Sequence, residues 1–419
     1  MGGMRRLVAA ALVGVVAWGL DGCSSSPFSP SSARPTAADT AVAALLQRQA
    51  HALAAGDVNA WKAGIADPTT PEGSRQLEAF DALRALGVSH MSFTALHERS
   101  DPTSTDGVEQ HWQGTAQLAY RIPGVDRVDR VVSRTLRAVE RQGTWRLVTW
   151  LGATDPPEAF DLPRLAVRRG DHVVVAVSAD VVDLAECSAA AEQAWSRVAA
   201  IPGLADGIPG TVLVVPPTAE ATAAMIGRST TSGLDVVGAT TVGARLVGRP
   251  AGADRVVLGP GAARRLTAEG RLVVLAHEFT HVALRASTRS DLPMWLSEGL
   301  AEYVAYRASS LEPRTIAAAA IERAKASDWP TKLATSSEFD TAAAGFDTAY
   351  QSSWLAVRAL ATGIGERGLM GLIHEVGGSL DGSAPSGSAG AVSAALQQQG
   401  TNESDLATAV RGQLLSWAR

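Results

Sequence analysis

The stretch that does most to decide the fold is residues 271–285, RLVVLAHEFTHVALR. Apolar residues surround a His-Glu-x-x-His pattern formed by His277, Glu278 and His281, which predicts a helix buried on most sides. Residues four positions apart lie on one face of a helix, so both imidazoles could reach the same metal ion. Because two imidazoles and a carboxylate are costly to bury without a ligand, the stretch predicts a metal site in the core.

A candidate for the third ligand follows in residues 294–306, MWLSEGLAEYVAY. Pro293 ends the turn after the first helix, and Glu298 follows at a distance that lets a second helix return a carboxylate to the same ion. A catalytic zinc needs three protein ligands and an open fourth position. Glu302 lies one helical turn after Glu298, on the same face, and is the alternative third ligand.

These two stretches together resemble the gluzincin metallopeptidases, the group that includes thermolysin and the zinc aminopeptidases. The nearer match is to the bacterial peptidase-MA-like proteins. The resemblance implies one zinc ion per chain and a zinc-bound water that Glu278 activates as general base. It implies that Glu302 orients a ligand histidine. The zinc ligands that it implies are His277, His281 and Glu298.

A further resemblance lies in residues 347–358, DTAYQSSWLAVR, which is similar to the Tyr-x-x-Ser helix that follows the zinc site in peptidase-MA-like proteins. It implies that the hydroxyl of Tyr350 donates to the developing oxyanion. The spacing of Tyr350, Trp354 and Val357 is equally typical of an ordinary core face. Tyr303 and Tyr306, beside the predicted ligand helix, are further candidates for the same role.

The function that the resemblance implies is zinc-dependent hydrolysis of peptide bonds in a peptide or protein substrate. One alternative is a proteolytically inactive, zinc-stabilised binding or scaffold lipoprotein at the cell envelope. Another is a binding lipoprotein whose working part is its N-terminal domain, and a third is a hydrolase of other carbonyls. The strand predicted at Arg255–Leu258 resembles the edge strand on which such peptidases hold an extended substrate.

The amino terminus predicts export and lipid anchoring. Arg5 and Arg6 precede an apolar run, residues 7–20, that is shorter than the about 20 residues of a membrane-spanning helix. Residues 1–22 are therefore predicted as a signal peptide. The sequence LDGC that ends at Cys23 resembles a bacterial lipobox, which implies lipidation of Cys23 and attachment to the extracytoplasmic face of the cell membrane, or secretion if the lipobox is not used.

A flexible tether, residues 23–38, is predicted to lead into an α+β domain over residues 39–152. Helical patterns come first, and four alternating segments then predict a four-stranded antiparallel meander. This order, together with residues 53–61, LAAGDVNAW, resembles the nuclear-transport-factor-2-like fold, which is cone-shaped and cystatin-like. His90, His97 and His111 in this part lack metal-ligand spacing and are interpreted as solvated or core residues.

Prolines mark a linker at residues 153–164, and a zincin-like metallopeptidase domain is predicted over residues 165–419. Its first half predicts a mixed sheet and its second half is mainly helical, so the whole chain belongs to the α+β class. The net charge of -5 over 419 residues, without runs of Lys or Arg, argues against nucleic-acid binding. Cys187, in a predicted apolar helix, is interpreted as a buried inert thiol.

Overall fold

The computed structural model describes residues 35–98, 109–178, 180–232, 234, 238–244, 248–326, 329–378 and 389–419. The predicted signal peptide, the predicted lipidation site at Cys23 and most of the predicted tether lie outside these residues. The structure is a mixed α+β arrangement with two sheets and a mainly helical C-terminal part, which confirms the predicted class. Among the described helices, none combines the length and the apolar character needed to cross a membrane.

The N-terminal part begins with three helices, α1 (Ala37–Ala55), α2 (Val58–Ala63) and α3 (Pro71–Ala85). A capping box between Thr36 and Asp39 starts α1. Gly56 ends it with a φ of 67°, a conformation that glycine adopts without the steric cost of a side chain. The helical patterns in this part of the sequence are thereby confirmed.

The first sheet is a four-stranded antiparallel meander in the order β1-β2-β3-β4, as predicted. Along β2 every second residue from Trp112 to Tyr120 is buried, so one face of the sheet packs against the helices. The strands are β1 (Met91–Glu98), β2 (Gln110–Tyr120), β3 (Arg130–Arg141) and β4 (Thr144–Thr149). After β4, the segment predicted as a linker carries a short 3-10 helix, Ala159–Asp161, whose Phe160 packs edge-on against Tyr120.

The second sheet is mixed, with the strand order β5-β6-β7-β9-β8. The middle strands β6, β7 and β9 are parallel, while the outer strands β5 and β8 run antiparallel to their neighbours. Helix α4 (Leu184–Ala199) connects β6 to β7, and α5 (Ala219–Met225) follows β7. The strands are β5 (Leu165–Arg169), β6 (Val173–Ser178), β7 (Thr211–Val215), β8 (Ala239–Val242) and β9 (Arg255–Leu258).

The prediction that Arg255–Leu258 forms the edge strand was wrong. This strand, β9, lies between β7 and β8, and all four of its residues are buried. Strand β8 takes the edge position, with Thr241 and Val242 half-buried. The reason is that a short apolar run fits an interior strand, where both faces are covered.

The remainder of the described chain is helical. Its two longest elements are α7, which carries the His-Glu-x-x-His pattern, and α11, which Gly365 interrupts with non-helical backbone angles. The helices are α6 (Pro260–Arg265), α7 (Ala268–Ser287), α8 (Met294–Arg307), α9 (Pro313–Ile316), α10 (Ala318–Ala324), α11 (Phe346–Gly377), α12 (Ala389–Gln398) and α13 (Glu403–Trp417).

The second sheet is covered on both faces. Val173, Val175 and Val177 of β6 pack into the core formed with the helices. Val174 and Ala176 pack into a second core, shared with the N-terminal part. Because successive strand residues point to opposite faces, the N-terminal part acts as one covering layer of this sheet and the helices as the other.

Candidate metal centre

Helix α7 places the two histidines of the pattern one turn apart in the core. The helix begins at Thr267, whose hydroxyl oxygen accepts a hydrogen bond from the amide of Gly270. His277 is fully buried and His281 is 4% exposed. Their Nε2 atoms lie 3.1 Å apart, so both rings point toward one place, as the helical spacing predicts.

Helix α8 brings Glu298 to the same place. Pro293 precedes the helix, which packs against α7, and the Glu298 side chain is 1% exposed. Its Oε2 atom lies 3.2 Å from Nε2 of His277 and 3.5 Å from Nε2 of His281. His277, His281 and Glu298 form the one group within the described residues with the ligand types and closeness that could hold a metal ion.

The electrostatics of this group favour a bound cation. Burial alone would lower the pKa of His277, but Glu298 and Glu302 outweigh it and raise that pKa to about 10. Burial would likewise raise the pKa of Glu298, but the two imidazoles lower it to about 2. Apart from the two imidazoles, no group in the described part of the chain hydrogen-bonds to Oε2 of Glu298. A proton or a metal ion among the three side chains would satisfy these electron pairs.

Glu302 supports the group from behind. Its Oε1 atom lies 2.9 Å from Nδ1 of His277, the ring nitrogen that points away from the other ligand atoms. Such a carboxylate fixes the orientation of a ligand imidazole. The structure therefore places Glu298 among the candidate ligands and Glu302 behind them, as in the first of the two assignments that the sequence left open.

Ser297 is a neighbour that the sequence did not indicate. Its hydroxyl lies 3.4 Å from Nδ1 of His281, at the long end of hydrogen-bonding distance. It therefore occupies, for His281, the position that Glu302 occupies for His277. The only sequence signal for this contact was the position of Ser297 directly before Glu298. That signal is not specific, because many serines in helices make no such contact.

Glu278 lies beside the group and is fully buried. Burial raises the pKa of its carboxyl group, against the attraction of the two imidazoles. Oε2 accepts a hydrogen bond of 2.8 Å from the hydroxyl of Thr241, on strand β8. Within the described residues, Oε1 has no hydrogen-bond partner. Sequence reasoning missed Thr241, because nothing local indicates which strand lies beside α7.

Tyr350 lies next to the group, in the core. The side chain is fully buried, and its ring centroid is 6.3 Å from that of His277. Phe339 and Phe346 contact the same ring, each with a centroid separation of 5.0 Å. Tyr350 thus lies beside the candidate ligands and is also part of an aromatic cluster in the core. Its spacing in the sequence was compatible with both locations.

The other candidate tyrosines have different neighbours. The hydroxyl of Tyr303 donates a hydrogen bond of 2.9 Å to Glu366. The ring of Tyr306 packs against Trp354, with centroids 6.1 Å apart, and burial together with the charge of Glu302 raises the pKa of its hydroxyl. Tyr303 is therefore directed to Glu366, whereas Tyr306 lies near Glu302, the carboxylate behind His277.

The histidines and the cysteine that were interpreted as solvated or core residues have surroundings of that kind. His90 and His111 are exposed and His97 is half-buried. Cys187 is buried on α4, and burial raises the pKa of its thiol to about 11, in agreement with its interpretation as an inert core residue.

Gly299, directly after Glu298, permits the close approach of α8 to α11. An ideal Cβ atom at this position would lie 2.5 Å from the carbonyl oxygen of Ser353 and 2.8 Å from a methyl group of Val357. The carbonyl oxygen belongs to helical backbone, which cannot turn aside as a flexible side chain can. The Glu-Gly pair is therefore a packing requirement of the helix that carries a candidate ligand.

Substitution Gly299→Ala is expected to destabilise the protein and to displace Glu298. The better helix propensity of alanine is worth about 1 kcal/mol, but overpacking costs about 1–3 kcal/mol, so the free energy of unfolding should fall. Urea denaturation measures this change. Gly412→Ala is the matched control, because a Cβ atom there would meet nothing within 4 Å and the exposed helix should gain stability. Equal gains in both variants would contradict the packing argument.

Comparison with known proteins adds no assignment to this geometry. No model of a known protein family matches the chain, and no curated protein matches it.

Proposed function

We propose that the protein is a zinc-dependent metallopeptidase in which Glu278 is the general base. The observation that carries the proposal is the convergence of His277, His281 and Glu298, with ligand atoms 3.1 to 3.5 Å apart, beside a buried glutamate. The proposal includes a zincin-like assignment for residues 165–419 and a nuclear-transport-factor-2-like assignment for residues 39–152.

Zinc fits this donor set. Tetrahedral zinc with metal–ligand distances of about 2.05 Å separates its ligand atoms by roughly 3.3 Å, close to the separations found here. Two imidazoles and one carboxylate form a set found in catalytic zinc sites, and they leave a fourth position open. A zinc ion held there would supply a Lewis acid, which polarises a carbonyl group and lowers the pKa of a water.

The protein's own groups would move the proton. Glu278 takes a proton from the attacking water and returns it to the leaving amine. Oε1 of Glu278, which has no hydrogen-bond partner among the residues that the structure describes, is the oxygen available for this transfer, since Oε2 accepts the hydrogen bond from Thr241. Tyr350, beside His277, is proposed to donate its hydroxyl proton in a hydrogen bond to the developing oxyanion.

The substrate is proposed to be an extended peptide or protein segment. Strand β8 is one of the two outer strands of its sheet in the described part of the chain and lies beside α7, so a peptide could add to it by backbone hydrogen bonds. Anchoring to the extracytoplasmic face of the membrane through a lipid on Cys23 is part of the proposal and rests on the amino-terminal sequence.

Metal analysis joined to an unbiased peptide-cleavage profile tests the proposal on a soluble form that lacks residues 1–23. We expect one zinc ion per chain and cleavage at a defined set of peptide bonds. His277→Ala should lose both after dialysis, because two ligands retain zinc poorly. A His277→Ala variant that keeps a stoichiometric ion would contradict the ligand assignment. His90→Ala, at an exposed histidine, is the control and should keep both.

A second candidate function is a zinc-stabilised binding or scaffold protein without proteolytic activity. The observation that favours it is the burial of the site: each of its residues is at most 4% exposed, namely His277, His281, Glu278 and Glu298. A structural zinc site is closed, whereas a catalytic one admits a water and a substrate. Stoichiometric zinc in a wild-type protein that cleaves no peptide in the library would favour this candidate.

A further inference from the structure

Thr241 joins the edge of the second sheet to the proposed base. Its hydroxyl lies 2.8 Å from Oε2 of Glu278 and 3.1 Å from the main-chain oxygen of the same residue. Thr241 is on β8 and Glu278 is on α7, so the contact connects two different elements. A hydroxyl has one hydrogen to donate. Oε2 and the main-chain oxygen of Glu278 can both accept it when the carboxylate is ionised, and Oε2 is the closer of the two.

The backbone of Thr241 is held in place by strand pairing. Thr241 lies opposite Val256 in the antiparallel ladder between β8 and β9, and β9 is an interior strand with all its residues buried. The β-branched side chain of threonine restricts its first torsion angle. The position of the hydroxyl is therefore set by the sheet rather than by the helix that carries Glu278.

The Glu278 side chain needs such an external support. A glutamate has three rotatable bonds, and in the described part of the chain the hydrogen bond from Thr241 is the one that its carboxylate receives. This bond occupies Oε2 and leaves Oε1 free. Small displacements of a reacting group are costly, since a misplacement of about 1 Å can reduce a rate about 100-fold.

We propose that Thr241 is the positioning residue of the general base, holding Oε2 of Glu278 so that Oε1 faces the attacking water. The proposal rests on the proposed peptidase function, but it also makes a claim about the conformation of Glu278 that is independent of activity. Thr241 acts through Glu278 and touches no reacting atom.

Kinetics of Thr241→Val, Thr241→Ser and Thr211→Val on a peptide that the wild type cleaves provide the first test. Valine keeps the shape and removes the hydroxyl, so kcat should fall about 10- to 100-fold while KM changes less than about twofold. Serine restores the hydroxyl and should return kcat to within about threefold of the wild-type value. Zinc content should stay at one ion per chain in every variant.

Thr211→Val is the matched control. Thr211 lies on the interior strand β7 rather than on β8, and its hydroxyl donates a hydrogen bond of 3.4 Å to the main-chain oxygen of Asp254. The same chemical change there should leave kcat and KM at their wild-type values. A Thr241→Val variant with wild-type kcat, or a Thr241→Ser variant as slow as Thr241→Val, would overturn the positioning role.

Crystal structures of the zinc-loaded full-length wild type, Thr241→Val and Thr241→Ser separate this proposal from the peptidase assignment. The Glu278 carboxylate should contact residue 241 in the wild type and the serine variant, and should leave that position in the valine variant. A carboxylate that stays in place in Thr241→Val refutes the inference whether or not any peptide is cleaved. If it moves while the wild type cleaves nothing, the positioning holds and the peptidase function fails.

Discussion

Glu278→Gln is expected to abolish peptide hydrolysis and to leave one zinc ion per chain. Glutamine has nearly the shape of glutamate, but its amide cannot take a proton from water or return one to an amine. Loss of a general base costs about 10²- to 10⁴-fold in rate. The three candidate ligands are untouched, so zinc should remain. Peptide-cleavage rates and metal analysis of the same protein sample measure both outcomes.

Glu269→Gln is the matched control for this variant. Glu269 lies in the first turn of the same helix, about 13 Å along its axis from Glu278, and forms an ion pair with Arg197. It should keep both zinc and activity. Undiminished cleavage by Glu278→Gln would refute the assigned base. Joint loss of zinc and activity would show instead that Glu278 helps to hold the metal.

Asp126→Ala is expected to cost about 3–5 kcal/mol of unfolding free energy, because it leaves a buried guanidinium without its partner. Arg255 of β9 and Asp126 of the N-terminal part form a two-pronged ion pair, and both side chains are 2% exposed. Burial disfavours the charge on Arg255, but Tyr120 and Asp126 outweigh it and raise its pKa. Urea denaturation followed by circular dichroism measures the loss.

Asp129→Ala is the control for the ion pair. Asp129 pairs with Arg121 at the surface, where both side chains are nearly half exposed, and such pairs contribute less than about 1 kcal/mol. Replacing both buried partners, as in Asp126→Leu with Arg255→Met, should recover much of the lost stability, because no buried charge is left unpaired. Equal losses in Asp126→Ala and Asp129→Ala would contradict a stabilising connection between the two parts.

The elements that carry the candidate ligands could be predicted because their signals are local. The apolar run around His277 and His281 predicts a buried helix, and Pro293 predicts where the next helix begins. Helical spacing then brings Glu298 and Glu302 to one face, where they take different positions around His277. The alternating segments of the N-terminal part gave the meander for the same reason.

What could not be predicted depends on tertiary contacts. The apolar pattern of Arg255–Leu258 is compatible with both an edge strand and an interior strand. The order of β9 and β8 in the sheet depends on the elements that pack against them. The contact of Thr241 with Glu278 depends on that strand order, so it could not be predicted from the sequence. Tyr350 stayed ambiguous because a residue beside a core metal site has the spacing of any core residue.

The shortness of β8 has a consequence for cleavage specificity under the proposed function. The strand has four residues, from Ala239 to Val242, and a paired peptide would keep its side-chain directions only when it slides by two residues, about 6.8 Å. A four-residue ladder tolerates few such slides before most of its hydrogen bonds are lost. The register of the peptide on β8, fixed relative to Thr241, would then select the bond to be cut.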